Sequence, residues 1–252
     1  MKTLEVLFTP AEVAVLSKRD LSRTVCVVFD VLRATSTIVT ALANGAAAVV
    51  PVGEISEALA WRRKQPDVLL AGERQGVKIR GADAAGVDFD LGNSPREFTA
   101  EVVRGRTIVT TTTNGTRALR ACRGAKTILA ASFLNLGATA RSLRKMAPKN
   151  LLLDCSGTGE QAAIEDALAA GALSERLQDD FAGGRIADSA QMARELHLSL
   201  GKNLSAGMRL SANGRRLLAL PDLCGDVKFC LQTDVLNLTA VLEEDGAVRK
   251  HT

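Results

Sequence analysis

The sequence predicts an α/β fold, layered α/β/α around a mixed, largely parallel sheet, and three observations carry that expectation. The first lies in residues 25–37, where five apolar residues, Val25 to Phe29, end at a lone carboxylate, Asp30. A short, valine-rich run of this kind reads as a strand buried on both faces. The second lies just beyond Asp30: Arg33, Thr35, Ser36 and Thr37, then an apolar helical stretch over 38–44 stopped by Gly45. Hydroxyl residues ahead of such a run cap a helix, and glycine ends it. The third is recurrence: an apolar strand, a loop of small hydroxyl or glycine residues and a helix come again around 111–116 and 154–159. Open α/β sheets bind ligands at the carboxyl ends of their strands. Three such loops on one edge would turn backbone N–H groups and helix N-termini toward a phosphate-sized anion. The segment reads as a site for a metal and an anionic substrate.

In chain order, residues 4–8 read as a strand and 10–16 as a short helix. Beyond the central unit come a strand at 46–51, an amphipathic helix at 55–64 and a short strand at 67–71 that ends in Gly72-Glu73-Arg74. Residues 75–92, rich in glycine, alanine and aspartate, read as a long loop, and loops of that length often carry function. Asn93-Ser94-Pro95-Arg96-Glu97 has the pattern of a capping box, with Ser94 as N-cap, Pro95 first in the helix and Glu97 three residues on. That predicts a helix to Val103. Strands come next at 107–111, 127–131 and 151–155, each with a helix after it, and helix continues to about Leu200. Residues from there to Asp226 read as irregular and 227–241 as extended, and the tail from Glu243 is polar.

At 252 residues the chain can form one α/β domain over 1–252 or two lobes sharing a cleft. The net charge of +4 suits a small anionic substrate and is too weak to argue for nucleic acid. No apolar stretch approaches the roughly 18 residues of a membrane span, and the first residues lack a signal peptide's apolar segment and cleavage site. Five cysteines, an odd number with no Cys-x-x-Cys, suit reduced thiols and a cytoplasmic protein. Two histidines and no tyrosine argue against Ser-His-Asp triads and histidine-based zinc sites, leaving carboxylates, hydroxyls, lysine or cysteine for the chemistry. Several named motifs fail. Asp30 has no second Asp two residues on, Cys155 is followed six residues later by Gln161 rather than Arg, and there is no Gly-x4-Gly-Lys-Ser/Thr loop. Gly157-Thr-Gly159-Glu-Gln-Ala162 fits a dinucleotide pattern but lacks the acidic residue at the end of a following strand.

The ordered set Asp30-Val-Leu-Arg-Ala-Thr-Ser-Thr, Gly72-Glu-Arg74, Gly92-Asn-Ser-Pro95, Thr112-Thr-Asn-Gly-Thr116, Glu165-Asp166 and Asp226-Val-Lys-Phe-Cys230 resembles the 2-phosphosulfolactate phosphatase family over about residues 4–241. The resemblance implies an α/β, Mg²⁺-dependent phosphatase that converts 2-phospho-3-sulfolactate to 3-sulfolactate and phosphate, a step of coenzyme M biosynthesis. Such a substrate carries phosphate, carboxylate and sulfonate and needs several cationic or N–H partners. Arg33 and Arg74 suit forked contacts to oxyanions; Thr35, Ser36, Asn93, Ser94, Thr113, Asn114, Gly115, Thr116 and Gly157 complete the expected substrate-binding set. Mg²⁺ needs only one or two carboxylates besides water, for which Asp30 and Glu73 are the candidates. Asp166 or Glu165 is a third ligand or a base that orients water, and Cys155 is either a nucleophile or packing. Two rivals stand beside this reading: a phosphatase for another small phosphorylated acid, and a non-catalytic binder of an anionic metabolite or nucleotide. A homodimer is among the assemblies the sequence allows.

Overall fold

The computed structural model describes residues 1–251. Strand β1 (Thr3–Leu7) leads to α1 (Pro10–Ala14), which starts in a capping box formed by Thr9 and Glu12. The chain continues through β2 (Thr24–Phe29), α2 (Ala34–Ala43), β3 (Ala48–Pro51), α3 (Ile55–Lys64), β4 (Leu69–Arg74) and β5 (Val77–Lys78). Then come α4 (Ala100–Val103), β6 (Thr107–Thr111), α5 (Gly115–Ala121), β7 (Thr127–Ala131), α6 (Leu136–Met146) and β8 (Asn150–Cys155). The rest is α7 (Ile164–Leu177), β9 (Arg185–Ile186), α8 (Asp188–Leu200), α9 (Leu204–Leu210), α10 (Ala212–Leu218), α11 (Cys224–Cys230), β10 (Thr239–Leu242) and β11 (Val248–His251).

One mixed sheet runs through these elements in the order β5-β4-β6-β3-β11-β10-β7-β2-β8-β1-β9. Strands β4, β6 and β3 form one parallel block, and β7, β2, β8, β1 and β9 another. The hairpin β10–β11 joins them through three successive antiparallel pairings, β3 to β11, β11 to β10 and β10 to β7. Three reversals leave the two parallel blocks running in opposite senses. Twist accumulated across the intervening strands curls the sheet so that the residues after β2 and after β6 meet: a Cβ on Gly115 would stand 2.5 Å from Asp30 Oδ2. Helix α2 packs against β3, β7, β10 and β11 and so covers the joint between the blocks.

Strand β2 is buried along its whole length, as the unbroken apolar run requires. Val25, Val27 and Phe29 pack on one face with residues of α6, α7 and α8; Cys26 and Val28 pack on the other with Ile38, Val39 and Leu42 of α2 and Leu119 of α5. A smaller cluster under the outer block gathers Val50, Leu70, Ile79, Phe89 and Val109.

Several expectations are corrected here. Residues 204–218 are two short helices rather than irregular chain, each capped by a side chain: Asn203 Oδ1 accepts from Ala206 N, and Ser211 Oγ from Gly214 N. Much of 227–241 is not extended. Helix α11 begins ahead of it and buries Asp226, Val227 and Cys230, the spacing of a helical face, and only Thr239–Leu242 forms a strand. The polar tail supplies β11. The capping box at Ser94 does not form. The Ser94 hydroxyl donates instead to Asp226 Oδ1 at 2.6 Å and Glu97 Oε2 accepts from Gly92 N at 2.8 Å, so a single 3₁₀ turn, Pro95–Glu97, breaks before α4. Strand β4 reaches Arg74, which places Glu73 inside the end of the strand rather than after it.

Candidate active site

A cleft of about 290 Å³ opens where the two blocks meet. Asp30, Leu32 and Arg33 line it from the loop after β2, and Glu73, Gln75 and Gly76 from the end of β4 and its turn. Asn93, the Thr113–Asn114 loop, Gly157 to Gly159, and Asn213 with Arg216 of α10 complete the wall. Larger depressions of about 430 and 460 Å³ lie elsewhere, beside the ion pairs Arg19–Glu5 and Arg176–Asp234, and contain none of the candidate residues.

Asp30 and Glu73 come from opposite blocks. Asp30 is buried (8% exposed) and its Oδ1 accepts from Ala34 N at 3.0 Å, while its backbone is tied to Thr35 through both N and O. Burial above all, and then the negative charge of Glu73 and Glu165, pushes its carboxyl up to about 6; the hydrogen bond from Ala34 acts in the other direction. Glu73 is fixed more fully: Oε1 accepts from Thr113 N at 2.8 Å and Thr113 Oγ1 at 2.9 Å, and Oε2 from Gly76 N at 2.6 Å. Gly115, at the start of α5, has to be glycine for Asp30 to fit, since its Cβ would also stand 2.6 Å from Ala34 Cβ.

Arg33 is buried between two acceptors, Asp226 Oδ2 through Nη1 and Gly76 O through Nη2, each at 2.8 Å. Asp226, fully buried on α11, also takes Arg96 Nε at 2.7 Å and the Ser94 hydroxyl on its other oxygen. Two guanidinium groups and a hydroxyl thus converge on one carboxylate, and only Arg33 of the three faces the cleft.

Most of the remaining candidates fall behind the cleft wall or spend their donors holding it together. Thr35 Oγ1 accepts from Asp30 N, Ser36 Oγ donates to Val31 O, and Thr116 exchanges hydrogen bonds with Thr112, so these hydroxyls hold the loops rather than open into the cavity. Asn114 lines the cleft, but its Nδ2 donates to Ser156 O and Gly159 O, bracing the neighbouring loop. Gly157, with φ of +72°, donates its N–H to Asp166 Oδ2 at 3.1 Å. Loops expected to present N–H groups to an anion therefore satisfy much of that capacity internally. Arg74 follows Glu73 in a strand, so it points to the other side, where its guanidinium donates to Glu73 O, Thr111 O and Thr111 Oγ1.

Asp166 is buried, accepts from Val31 N at 2.8 Å through Oδ1, and ties the loops after β2 and β8 together. Burial first, then Asp30 and Glu165, holds its carboxyl well above the usual carboxylate range. Cys155 ends β8 inside the apolar core, and burial followed by the nearby carboxylates Asp166 and Asp154 keeps its thiol protonated. A nucleophilic cysteine needs the opposite environment. Cys155→Ala should therefore leave turnover at this cleft within about threefold of the parent while costing on the order of 1–2 kcal/mol of stability, read from initial rates and a thermal melt of the same samples.

The cleft joins a carboxylate pair to a guanidinium whose geometry is fixed by a buried acid, and the sequence comparisons agree with that chemistry. The profile of the 2-phosphosulpholactate phosphatase family matches residues 11–245. The chain belongs to this family. It is 41% identical over 248 residues, 98% of this chain and 99% of the relative, to a probable 2-phosphosulfolactate phosphatase of Pseudothermotoga lettingae. A protein of the same name from Thermotoga petrophila is 42% identical over 216 residues, 86% of this chain and 88% of that one, and one from Nostoc punctiforme is 35% identical over 240 residues, 93% of this chain and 94% of that one. Within this member of the family, the cleft also contains Gln75, Gly76, Asn213 and Arg216, none of which any sequence motif marks for a role. Asp226 lies within a motif that carries the resemblance, yet nothing local marks it as the partner of an arginine 193 residues away.

Proposed function

We propose that the chain is a Mg²⁺-dependent phosphatase that hydrolyses 2-phospho-3-sulfolactate to 3-sulfolactate and inorganic phosphate. The observation that carries this reading is the meeting of Asp30 and Glu73, from opposite blocks of the sheet, on one cleft wall in a chain of this family. The donor set suits a hard cation. The cleft offers carboxylate, amide and hydroxyl oxygens and neither histidine nor cysteine. Among the described residues no cluster of three His, Cys, Asp or Glu side chains could hold a metal, so an ion here would be one that keeps most of its waters, as Mg²⁺ does. Burial, and after it the negative charge of Glu73 and Glu165, raises the Asp30 carboxyl, and a bound cation would relieve that penalty on its ionised form.

Bound between Asp30 and Glu73, the ion would offset charge on the phosphoryl oxygens and make a bound water more acidic. The chain's own groups supply the geometry. Thr113 and Gly76 orient Glu73, Ala34 orients Asp30, and Asp166 fixes the loops on either side. Arg33, held by Asp226 and Gly76 O, adds positive charge beside the carboxylate pair. Hydrolysis adds water across the P–O ester bond and returns a hydroxyl on the sulfolactate product. Five free cysteines, four of them buried, suit a reducing cytoplasm, and no described helix is long and apolar enough to cross a membrane.

Phosphate release from 2-phospho-3-sulfolactate, with Mg²⁺ and with EDTA, tests the reading. Turnover that disappears on chelation and returns with Mg²⁺ is expected. Equal turnover of phosphoglycerate would discard the substrate assignment, and binding without release in the presence of metal would point to an anion-binding protein instead.

A further inference from the structure

The cleft wall carries two guanidinium groups, and they differ in how they are used. Arg33 is buried and already shares the Asp226 carboxylate with Arg96. Arg216 is exposed to solvent and has no carboxylate within 4.0 Å among the described residues. Both reach the same residue. Arg33 Nη2 donates to Gly76 O, and a Cβ on Gly76 would stand 3.2 Å from both Nη1 and Nη2 of Arg216. On the far side of that residue, Gly76 N donates to Glu73 Oε2. Gly76 therefore stands between Glu73, which takes its N–H, and two guanidinium groups, Arg33 on its carbonyl oxygen and Arg216 over its Cα.

Arg216 is also held in place. Its Nη2 donates to Asn213 Oδ1 at 2.8 Å, while Asn213 Nδ2 donates to Leu32 O at 2.6 Å and to Glu165 Oε1 at 3.2 Å. Glu165 Oε2 in turn accepts from the hydroxyl of Ser211, the residue that caps α10. A solvated surface arginine has no need of a buried amide pinned by two other elements. This one keeps most of its five donors free in a pre-set orientation.

We propose that Arg216, with Arg33 across Gly76, is the subsite that binds the second oxyanion of the substrate, a carboxylate or sulfonate on the carbon skeleton remote from the phosphoryl group. The enzyme would thereby select phosphate monoesters with an anionic tail, because the two guanidinium groups attract that tail while Asp30 and Glu73 repel it, which fixes which way the molecule lies. This rests on the phosphatase reading.

The test compares Arg216→Met and Arg216→Lys with the parent enzyme on three esters: 2-phospho-3-sulfolactate, phospholactate, which lacks the sulfonate, and p-nitrophenyl phosphate, which has neither tail anion. Loss of a charge-assisted contact made equally in ground and transition states raises KM by about 10–100-fold and leaves kcat within about threefold. That is the result expected for Arg216→Met on the sulfonated ester, with a loss at least tenfold smaller on p-nitrophenyl phosphate and partial recovery in Arg216→Lys. Equal losses on all three esters, or none on the sulfonated one, would overturn the proposal. Titration calorimetry with sulfolactate separates it from the phosphatase reading. If the parent protein hydrolyses none of the esters, that reading fails, and Arg216 is judged by whether Arg216→Met weakens sulfolactate binding about tenfold. Unchanged binding, or no binding by the parent, would sink the proposal.

Discussion

Asp30→Asn should lower phosphate release by about 10³-fold and, in metal-free buffer above pH 7, raise the melting temperature. The first effect comes from removing a charged ligand from a site where a cation stabilises transferred phosphoryl oxygens, a loss of several kcal/mol. The second comes from burial. The Asp30 carboxyl is raised from its ordinary value of 3.8 to about 6 in the folded protein, so the folded state holds the proton more tightly than the unfolded chain. The stability this contributes is complete below the unfolded value and is lost as pH rises through about 6. Above that, the ionised side chain costs on the order of 3 kcal/mol, a cost absent in asparagine, whose oxygen still accepts from Ala34 N. For a chain of this length the gain is about 5–10 °C at pH 8, vanishing near pH 4. Bound Mg²⁺ offsets the same cost, so melts with EDTA and with Mg²⁺ separate the two contributions. The Mg²⁺ concentration for half-maximal activity should fall about tenfold per pH unit up to about 6 and then level off. Retention of more than a tenth of the activity in Asp30→Asn would remove Asp30 from the metal site, and an unchanged melting temperature at every pH would show that its buried charge carries no such cost.

Asp226→Ala should cost about 3–5 kcal/mol of stability and most of the activity, although α11 contributes no group to the cleft wall. Removing one partner of a buried ion pair leaves the other charge desolvated and unpaired, and here two guanidinium groups lose a partner at once. A drop in melting temperature of roughly 6–20 °C is expected. Arg33 would then keep only Gly76 O, and misplacement of a positioned charge by an ångström costs about 10²-fold in rate. Because the two residues act together, Arg33→Met combined with Asp226→Ala should destabilise by clearly less than the sum of the single changes. A strictly additive cycle would show that Asp226 serves Arg96 and Ser94 rather than Arg33.

Most of the sheet is readable in the sequence because its information is local. The unbroken apolar run of β2 fixes its burial, and the change of period after Asp30 marks the loop from which α2 begins. Asp30 and Glu73 are readable as candidates for the same reason, being carboxylates at the ends of buried strands. The features that escape the sequence depend on partners far along the chain. Ser94 looks like a helix cap until Asp226, 132 residues away, offers its hydroxyl a charged acceptor. Arg74 looks like an anion binder until strand alternation turns it away from Glu73. Arg216 sits beside another arginine on a short helix, and only its contacts with Gly76 and Asn213 separate it from an ordinary surface cation.

The hairpin that reverses the sheet has a kinetic consequence. Strands β3 and β7 pair only through β10 and β11, and β11 meets β3 at a single residue pair, Val248 with Val49. The block of β4, β6 and β3 can assemble from strands 39–59 residues apart in the chain, but its register against the other block waits for a segment some 200 residues downstream of β3. Contacts of such long sequence separation form late. On refolding from denaturant, helical signal should therefore return before catalysis, the lag being the time the hairpin takes to dock and bring Asp30 and Glu73 into one cleft. Stopped-flow circular dichroism beside a phosphate-release assay measures it, and simultaneous recovery would show that the two blocks find each other without the hairpin.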